Sequence, residues 1–317
     1  ASKILDFVHF FLDLNRNRGV EEIVTIRDLL AWIDFLNQTR SKLDQHCAFT
    51  HGACLVIMDG LGMGKTLLTT NEVNAIKTEC RVFIETHCKH SGCKCLDSIT
   101  SKVAYELNAN ENGLAMDNFV VGQGQGEPKI PSNFLFQSTS ALSNTMKIMR
   151  AMQIHKPILL EGEPGVGKTS LITALAAMSG NTLLRINLSD QTETCDLFGA
   201  DLPVEDSIGK FEWKDGPFLA ALKAGHWILL DELNLASQSV LESLNACLDH
   251  RGEVFVPELN KTFIVKKQST RVFATQNPYR HGGDRKGLPK SFLNRFTKTF
   301  IESHTASDLL ILSQQKY

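Results

Sequence analysis

The sequence has no apolar stretch approaching the roughly 18 uncharged residues that a membrane-spanning helix requires. Even the apolar start of the chain is interrupted, at Asp6, His9 and Asp13. An excess of charge of one sign is missing as well, because 33 Lys and Arg residues face 35 Asp and Glu residues, for a formal net charge of −2. We therefore expect no contact with a membrane and no direct binding of nucleic acid.

The chain also lacks the cysteine density of a disulfide scaffold. Eight cysteines spread over 317 residues indicate reduced thiols in an intracellular compartment. One cluster holds residue types that bind zinc, and its members are His87, Cys88, His90, Cys93 and Cys95. Structural zinc sites usually combine ligand pairs that lie far apart in sequence, and the distant pair is missing here. We therefore favour an exposed, Cys-rich loop over a zinc site.

The composition and the length indicate a globular chain of about two domains. Hydrophobic residues make up 43% and charged residues 21% of the sequence. The segment 108–132 is rich in Gly, Pro and Asn and poor in apolar residues, which is typical of a domain boundary. We divide the chain there into residues 1–112 and 113–317.

The first part is predicted to be mainly helical. Near its start, apolar side chains recur with helical spacing at Ile4, Phe7, Val8 and Phe11. This spacing predicts an amphipathic helix. Thr25, followed three residues later by Asp28, predicts the capped start of a second helix. The β-type run at 53–58 predicts a short strand.

The second part alternates short apolar runs with helical patterns. The apolar runs lie at 157–160, 182–187, 226–230, 270–275 and 296–301, and the helical patterns at 139–152, 169–179, 218–224 and 237–250. This alternation predicts a mainly parallel sheet with helices on both faces. Short continuous apolar runs are expected for strands that are covered on both sides.

The strongest motif runs from Gly162 to Thr169 and matches G-x-x-x-x-G-K-[ST] at every fixed position. It lies between a predicted strand and a predicted helix, where glycines let the backbone wrap around a phosphate and the helix start offers unpaired N–H groups. Lys168 is expected to reach the β- and γ-phosphates, and the Thr169 hydroxyl to bind Mg²⁺. We assign nucleotide binding to Gly162, Glu163, Pro164, Gly165, Val166, Gly167, Lys168, Thr169 and Ser170.

Three further elements complete the pattern of a nucleotide hydrolase. The run 226–230 is followed by Asp231, a candidate for the Mg²⁺ shell, and by Glu232, a candidate for polarising an attacking water. Asn277 follows the run 270–275 and is a candidate for orienting that water; alternatively, it only begins a turn before Pro278. Arg295 is a candidate arginine finger that would act on a neighbour's nucleotide.

These elements, in this order, resemble the AAA+ ATPases, and more closely the midasin family of dynein-related AAA+ ATPases. The resemblance is carried by KPILLEGEPGVGKTSLITALA (156–176), DLFGADLP (196–203), FEWKDGPFLAALKAGHWILLDELNLAS (211–237), VLESLNACLDHRGEVFVPEL (240–259), RVFATQNP (271–278) and LPKSFLNRF (288–296). It implies an α/β fold: an AAA+ P-loop core with a parallel five-stranded sheet of order 5-1-4-3-2 and hairpins around 208–213 and 253–265. It also implies that Asp231 and Glu232 form Walker B, that Asn277 is sensor 1, and that Arg295 acts in trans.

Residues 1–112 resemble the small, mainly helical lid domain of a preceding AAA+ module, followed by a linker. The segment Thr25–Trp32 is similar to a sensor-2 helix, which implies that Arg27 contacts the nucleotide of that preceding module. The segment 59–66 ends in GKT, but Asp59 stands where a P-loop has its first glycine, and its carboxylate would repel phosphate. We therefore interpret 59–66 as linker, with a second nucleotide site as the alternative.

The resemblance implies an ATPase that uses ATP, ADP and Mg²⁺, as one module of a tandem ring motor that remodels pre-60S ribosomal particles in the nucleus. The implied partners are neighbouring AAA+ modules of the same long chain and the pre-60S particle with its assembly factors. The alternatives are a nucleotide-binding structural module with little turnover and a MoxR-type AAA+ chaperone with another client. We expect weak hydrolysis by this chain alone, because a neighbour's finger raises the rate by several orders of magnitude.

Overall fold

The computed structural model describes residues 2–19, 24–63, 68–88, 94–97, 99, 105–110, 113–131, 134, 136–203, 211–248, 253–256, 261–266, 269–278 and 287–314. Its first part contains the helices α1 (Ser2–Arg16), α2 (Ile26–Thr39), α3 (Gln45–Val56), α4 (Thr70–Cys88) and α5 (Lys94–Asp97). An antiparallel sheet follows, made of β1 (Leu107–Asn110), β2 (Gly113–Met116) and β3 (Phe119–Gly122). Among the described residues, no helix has the length and the apolar content to cross a membrane.

The first two helices form where the sequence predicts them. The buried residues of α1 include Ile4, Phe7, Val8 and Phe11. They belong to one apolar cluster with Trp32 of α2 and Phe49 of α3. At the start of α2, the backbone N–H of Thr25 donates to Asp28 Oδ2 at 2.9 Å, as in a capping box. Both helix predictions are confirmed.

The predicted strand at 53–58 is wrong. Residues 53–56 are the end of α3, and Met58–Gly60 forms a 3₁₀ turn. The helix begins after Asp44, whose carboxylate accepts hydrogen bonds from the backbone N–H groups of the second and third residues that follow it. Every residue from Ala48 to Leu55 is buried. The apolar run therefore belongs to a helix covered on all sides, which periodicity does not separate from a buried strand.

The second part contains the elements that the alternating pattern predicts, with short hairpins between them. In chain order they are α6 (Thr139–Ala151), β4 (Ile158–Glu161), α7 (Lys168–Met178), β5 (Leu183–Asn187), α8 (Thr194–Phe198), β6 (Gly199–Pro203), β7 (Phe211–Asp215), α9 (Pro217–Ala224), β8 (Trp227–Asp231), α10 (Gln238–Cys247), β9 (Glu253–Val256), β10 (Lys261–Ile264), β11 (Arg271–Gln276), α11 (Lys290–Leu293), β12 (Thr297–Phe300) and α12 (Ala306–Gln314).

One parallel sheet organises this second part. Its strands lie in the order β12-β4-β11-β8-β5. Counted along the second part, this is the order 5-1-4-3-2, so the predicted sheet is confirmed. The antiparallel pair β9 and β10 forms the predicted hairpin around 253–265. The strands β6 and β7 pair on either side of residues 204–210, which lie outside the described part. This is the region of the predicted hairpin around 208–213.

The sheet is covered on both faces, which explains why β4 and β8 are apolar up to their last residue. In β4, Ile158 and Leu160 join the apolar cluster that includes Met149 of α6 and Leu171 of α7. Leu159 between them joins the cluster on the other face, with residues of α9 and α10. Successive side chains of a strand point to opposite faces, so a strand between two helical layers needs apolar residues at every position.

The first part packs directly against the parallel sheet's helical layer. Phe35 of α2 and Leu55 of α3 belong to the same apolar cluster as Met146 of α6. The predicted division at 112/113 falls between β1 and β2, and Asn110 pairs with Gly113 across it. The division therefore stays a prediction, and the small antiparallel sheet crosses it.

A buried ion pair fastens α3 and its 3₁₀ turn to α6. Arg150 is 1% exposed, and its Nη1 donates to Asp59 Oδ2 at 2.7 Å and to Oδ1 at 2.9 Å. Its Nε donates to His51 Nδ1 at 3.2 Å. Burial, together with the charge of Arg150, holds the pKa of His51 well below 6.5, so the imidazole is neutral and accepts this bond.

The same ion pair bears on the segment 59–66. Asp59 follows a helix and faces Arg150, whereas the first residue of a P-loop follows a strand and faces phosphate. The residues 64–66 lie outside the described part of the chain. The contact with Arg150 gives a physical reason for an aspartate at position 59.

A second ionic contact joins the two parts near the end of the sheet. Glu302 follows β12, and its Oε1 accepts from Lys147 of α6 at 2.9 Å and from Lys77 of α4 at 3.2 Å. The positive charge of Lys147, followed by that of Lys77, lowers the pKa of Glu302 to about 2 against the opposing effect of burial. The carboxylate is therefore ionised and holds two helices of different parts together.

We expect Asp59→Ala to destabilise the fold by about 3–5 kcal/mol, because it leaves the charge of Arg150 buried without its counterion. Urea unfolding measures this loss. Glu85→Ala is the matched control, since it removes a partly exposed pair with Arg81 inside one helix and should cost at most about 0.5 kcal/mol. Equal losses in the two variants would contradict the role of burial.

We expect Glu302→Gln to make the fold less sensitive to acid. Ionised Glu302 stabilises the folded chain above its ordinary pKa of 4.5, and this contribution is lost as the pH falls towards about 2. The difference in unfolding free energy between parent and variant should therefore shrink as the pH is lowered through this range. Urea unfolding at stepped pH measures it, and a constant difference would argue against the ionic contact.

Candidate functional site

The G-x-x-x-x-G-K-T motif forms the loop between β4 and α7, at the carboxyl edge of the parallel sheet. Each of its three glycines meets a steric demand. Gly165 and Gly167 have φ angles of 80° and 85°, in the left-handed region that favours glycine. A Cβ atom on Gly162 would lie 2.7 Å from the carbonyl oxygen of Ile301. The loop conformation therefore depends on these three positions.

The remaining motif residues surround an open loop tip. Glu163, Pro164 and Gly165 are exposed, and a Cβ atom on Gly165 would have nothing within 4 Å. Val166 is buried below the tip, and Ser170 is exposed on the first turn of α7. The tip thus has free space beside backbone N–H groups at a helix start, which suits an anion.

Lys168 is the first residue of α7 and is buried below the loop. Its Nζ donates to the carbonyl oxygens of Gly162 at 2.7 Å and Glu163 at 3.0 Å, and to Asn277 Oδ1 at 2.8 Å. Burial lowers the pKa of Lys168, and the carboxylates of Glu232 and Asp231 oppose this effect. Three acceptors around one ammonium group match its three N–H donors.

Asp231 ends β8 and is surrounded by donors from three other elements. The Thr169 hydroxyl lies 3.1 Å from both carboxylate oxygens. The Thr275 hydroxyl of β11 donates to Oδ1, and the Arg185 guanidinium of β5 donates to Oδ2 from Nη2 at 2.5 Å and from Nε at 3.0 Å. The two predicted Mg²⁺ ligands, Thr169 and Asp231, are therefore in direct contact.

Glu232 lies next to the loop because of an unusual backbone conformation. Its φ of 58° and ψ of 45° are left-handed, which is rare for a residue with a side chain. Its backbone N–H donates to the Thr275 hydroxyl at 3.3 Å. Asn277 Nδ2 donates to the two carboxylate oxygens of Glu232 at 2.8 and 3.1 Å. Asn277 thus bridges Lys168 and Glu232 and does more than begin a turn.

The chemistry of these side chains fits a nucleoside triphosphate with Mg²⁺. Thr169 and Asp231 offer hard oxygen donors at one point, as Mg²⁺ prefers. The carbonyl oxygens that accept from Lys168 belong to the loop itself, so phosphate oxygens at the tip would be equivalent acceptors for the ammonium group. Glu232 completes the arrangement with a carboxylate beside the loop.

Two residues of this cluster were not identified from the sequence, namely Thr275 and Arg185. Thr275 is 1% exposed and follows the apolar residues 272–274 of β11, and Arg185 interrupts the apolar run of β5. A polar residue inside a run of this kind was the available signal. The role of such a polar residue depends on which strand lies next to it. Thr275 and Arg185 both donate hydrogen bonds to Asp231 of β8, from the two strands that pair with β8.

The other predicted arginines lie at the opposite edge of the sheet. Arg27 of α2 and Arg295, just before β12, line one cavity of about 430 Å³. Lys156 and Arg271 line it as well, at the amino ends of β4 and β11. Burial lowers the pKa of Arg271 to about 10, and its Nη1 contacts His155 Nδ1 at 2.7 Å. The structure therefore brings Arg27 and Arg295 together, away from the P-loop of this chain.

The cysteine and histidine cluster is described only in part. His87 is exposed and stacks on Phe83, with ring centroids 3.8 Å apart, and Cys95 is buried. His90, Cys93 and the side chain of Cys88 lie outside the described residues. Within the described part of the chain, no group of three or more His, Cys, Asp and Glu side chains is arranged to hold a metal ion. The preference for a Cys-rich loop stays a prediction.

Comparison with known proteins identifies the class first. The family model of the AAA domain (dynein-related subfamily) matches residues 157–296, which hold the sheet and the site. The fold is thus an α/β AAA+ core with a helical lid before it, as predicted. Members of this class bind nucleotide, and the chain has an ATPase's domain.

The relatives narrow this class. The Midasin AAA+ ATPase lid domain matches residues 1–59. Midasin of Dictyostelium discoideum is 45% identical over 100% of this chain, and Midasin of Giardia intestinalis is 36% identical over 94% of it. An uncharacterized protein of Staphylococcus aureus (strain USA300) is 33% identical over 38% of this chain and 46% of its own length. The chain belongs to the midasin family, and it spans 6% of the length of each of the two midasins.

We expect Thr275→Val to lower the unfolding free energy by about 1–3 kcal/mol, because the partly buried backbone N–H of Glu232 and the buried carboxylate of Asp231 each lose a partner. Thr299→Val is the matched control. Thr299 is also fully buried, and its Oγ1 has no hydrogen-bond partner in the part of the chain that the structure describes. Urea unfolding should show no loss in the control, and a similar loss in both variants would contradict the role of Thr275.

Proposed function

We propose that this chain binds Mg·ATP at residues 162–169 and hydrolyses it as one module of a ring motor. The observation that carries the proposal is the convergence of Lys168, Asp231, Glu232 and Asn277 on the P-loop. The ends of two strands of one sheet and the start of a helix supply these groups, so they are held by the buried core of the domain. Membership of the AAA+ class supports the same chemistry.

Each side chain has a role that follows from its position. Lys168 holds the β- and γ-phosphates with its three N–H donors, and Thr169 and Asp231 hold Mg²⁺. When bound, Mg²⁺ would neutralise the negative charge that develops on the transferred phosphate. Glu232 would accept a proton from water as the water oxygen bonds to the γ-phosphorus; the bond from this phosphorus to the β–γ bridging oxygen breaks, and ADP and phosphate leave. Asn277 positions the Glu232 carboxylate, to which it donates two hydrogen bonds.

The position of Arg295 supports a role on a neighbour's nucleotide. It shares a cavity with Arg27 of the lid segment, at the edge of the sheet that lies opposite the P-loop. The two residues therefore serve the nucleotide of the preceding module, while this chain's own P-loop receives its finger and lid from elsewhere in the ring. A nucleotide-binding module with little turnover is the second candidate, because the two arginines of this chain do not reach its own P-loop.

The proposed client is a maturing large ribosomal subunit, in the nucleus, and the proposed partners are neighbouring modules of the same long chain. Similarity to midasins over the whole chain supports this assignment. In such an assembly, hydrolysis would move the core against its own lid, and the ionic contacts of Arg150 and Glu302 would transmit that motion to the preceding lid.

We expect one molecule of ATP or ADP to bind per chain, with binding lost in Lys168→Ala and kept in Lys65→Ala. Isothermal titration calorimetry in the presence of Mg²⁺ measures both. Lys65 is the matched control, because it occupies the lysine position of the second GKT sequence. Loss of a binding event in Lys65→Ala would show a second site. Turnover is measured as the rate of phosphate release. Strong turnover by a monomeric sample would contradict the proposal that hydrolysis requires a neighbouring module.

A further inference from the structure

Arg185 holds the carboxylate that is expected to take part in binding Mg²⁺. It lies in β5, the edge strand next to β8, two residues before Asn187, which pairs with Asp231. Alternate residues of a strand share a face, so Arg185 and Asp231 lie on the same face of the sheet. Nη2 and Nε both donate to Asp231 Oδ2, at 2.5 and 3.0 Å.

The contact neutralises Asp231 with a group that belongs to the protein. The other donors to this carboxylate are the hydroxyls of Thr169 and Thr275, which carry no net charge. Arg185 is therefore the cation in direct contact with Asp231 among the described residues. Two like charges close to one carboxylate repel each other, so a guanidinium in this position opposes the arrival of a divalent cation.

The two partners differ in how easily they move. The side chain of Asp231 is 8% exposed and is fixed by three elements, whereas that of Arg185 is 57% exposed on an edge strand. Displacing Arg185 into solvent breaks only its own contact with Asp231, while displacing Asp231 would also break the contacts with Thr169 of α7 and Thr275 of β11. The mobile member of the pair is thus the arginine.

Resting on the proposed function of the site, we propose that Arg185 is a place-holding cation on Asp231, which must swing outward before Mg²⁺ binds, and so raises the Mg²⁺ concentration that the site requires. In the metal-free site the two hydrogen bonds from the guanidinium also keep the Asp231 carboxylate in place beside Thr169. Arg185 is a positioning residue that acts through Asp231, and it takes no part in the chemical step.

The test is the metal requirement of nucleotide binding by this chain. Binding of a fluorescent ATP analogue is measured while MgCl₂ is titrated from an EDTA-treated start. We expect Arg185→Gln to lower the half-saturating Mg²⁺ concentration by about threefold or more, since the competing charge is removed. Arg185→Lys keeps the charge but not the two-donor geometry, and should fall between parent and glutamine variant.

A matched control removes a cation from another carboxylate of the same domain. Lys223 contacts Asp215 at 2.6 Å, outside the P-loop cluster, and Lys223→Gln should leave the Mg²⁺ requirement unchanged. Thermal unfolding checks that every variant is folded. Binding of the analogue in EDTA should be the same within about twofold for parent and Arg185→Gln, because Arg185 contacts Asp231 and not the loop.

A second measurement does not depend on nucleotide. Mn²⁺ bound to the chain alone is counted by the loss of its free electron paramagnetic resonance signal, and Arg185→Gln should bind Mn²⁺ more tightly than the parent. If Arg185→Gln bound Mn²⁺ as tightly as the parent, the contact would have no effect on metal binding. If the variant bound Mn²⁺ more weakly, Arg185 would favour metal binding. Either result overturns the proposal. Failure of the parent to bind any nucleotide would instead refute the proposed function, while the Mn²⁺ comparison still judges Arg185.

Discussion

The functional groups of this chain depend on one constraint, which is that the parallel strands β4, β8 and β11 end at the same edge of a sheet buried on both faces. The loop after β4 wraps the phosphate position, β8 ends in Asp231, and Asn277 follows β11. Hydrogen bonds then connect these ends directly, from Lys168 through Asn277 to Glu232. Apolar clusters on both faces fix the strands, and the packing of this core therefore determines where the polar groups at the edge lie.

The same sheet separates two kinds of interaction with nucleotide. The carboxyl edge carries the groups that would hold and hydrolyse the chain's own ATP. The amino edge carries Arg295 and, with Arg27 of the lid segment, lines the cavity that we assign to a neighbour's nucleotide. Under the proposed function, one edge of the module would supply residues to a neighbour's site and the other edge would receive them, so turnover at each site would depend on two modules.

Most of the fold and part of the site were predictable from the sequence, for physical reasons that differ between residues. The P-loop and the alternating runs are local patterns, so Lys168, Asp231 and a mainly parallel sheet could be predicted from them, whereas the strand order was implied by the resemblance to the AAA+ ATPases. The run at 53–58 was misread, because a helix buried on all sides and a buried strand are both continuously apolar. Thr275 and Arg185 were missed because their role is set by the neighbouring strand, and the shared cavity of Arg27 and Arg295 depends on how two distant segments pack.

The buried pair of Asp59 and Arg150 also limits what the segment 59–66 can become. Replacing Asp59 by glycine would make the sequence 59–66 match the P-loop consensus G-x-x-x-x-G-K-[ST]. The same change would leave the guanidinium of Arg150, which is 1% exposed, without its counterion between α3 and α6. A gain of the motif would therefore be opposed by a loss of stability, and replacing Arg150 alone would in turn leave the Asp59 carboxylate buried without its counterion. Positions 59 and 150 are therefore coupled, and the consensus could be completed without this loss only if both residues changed together.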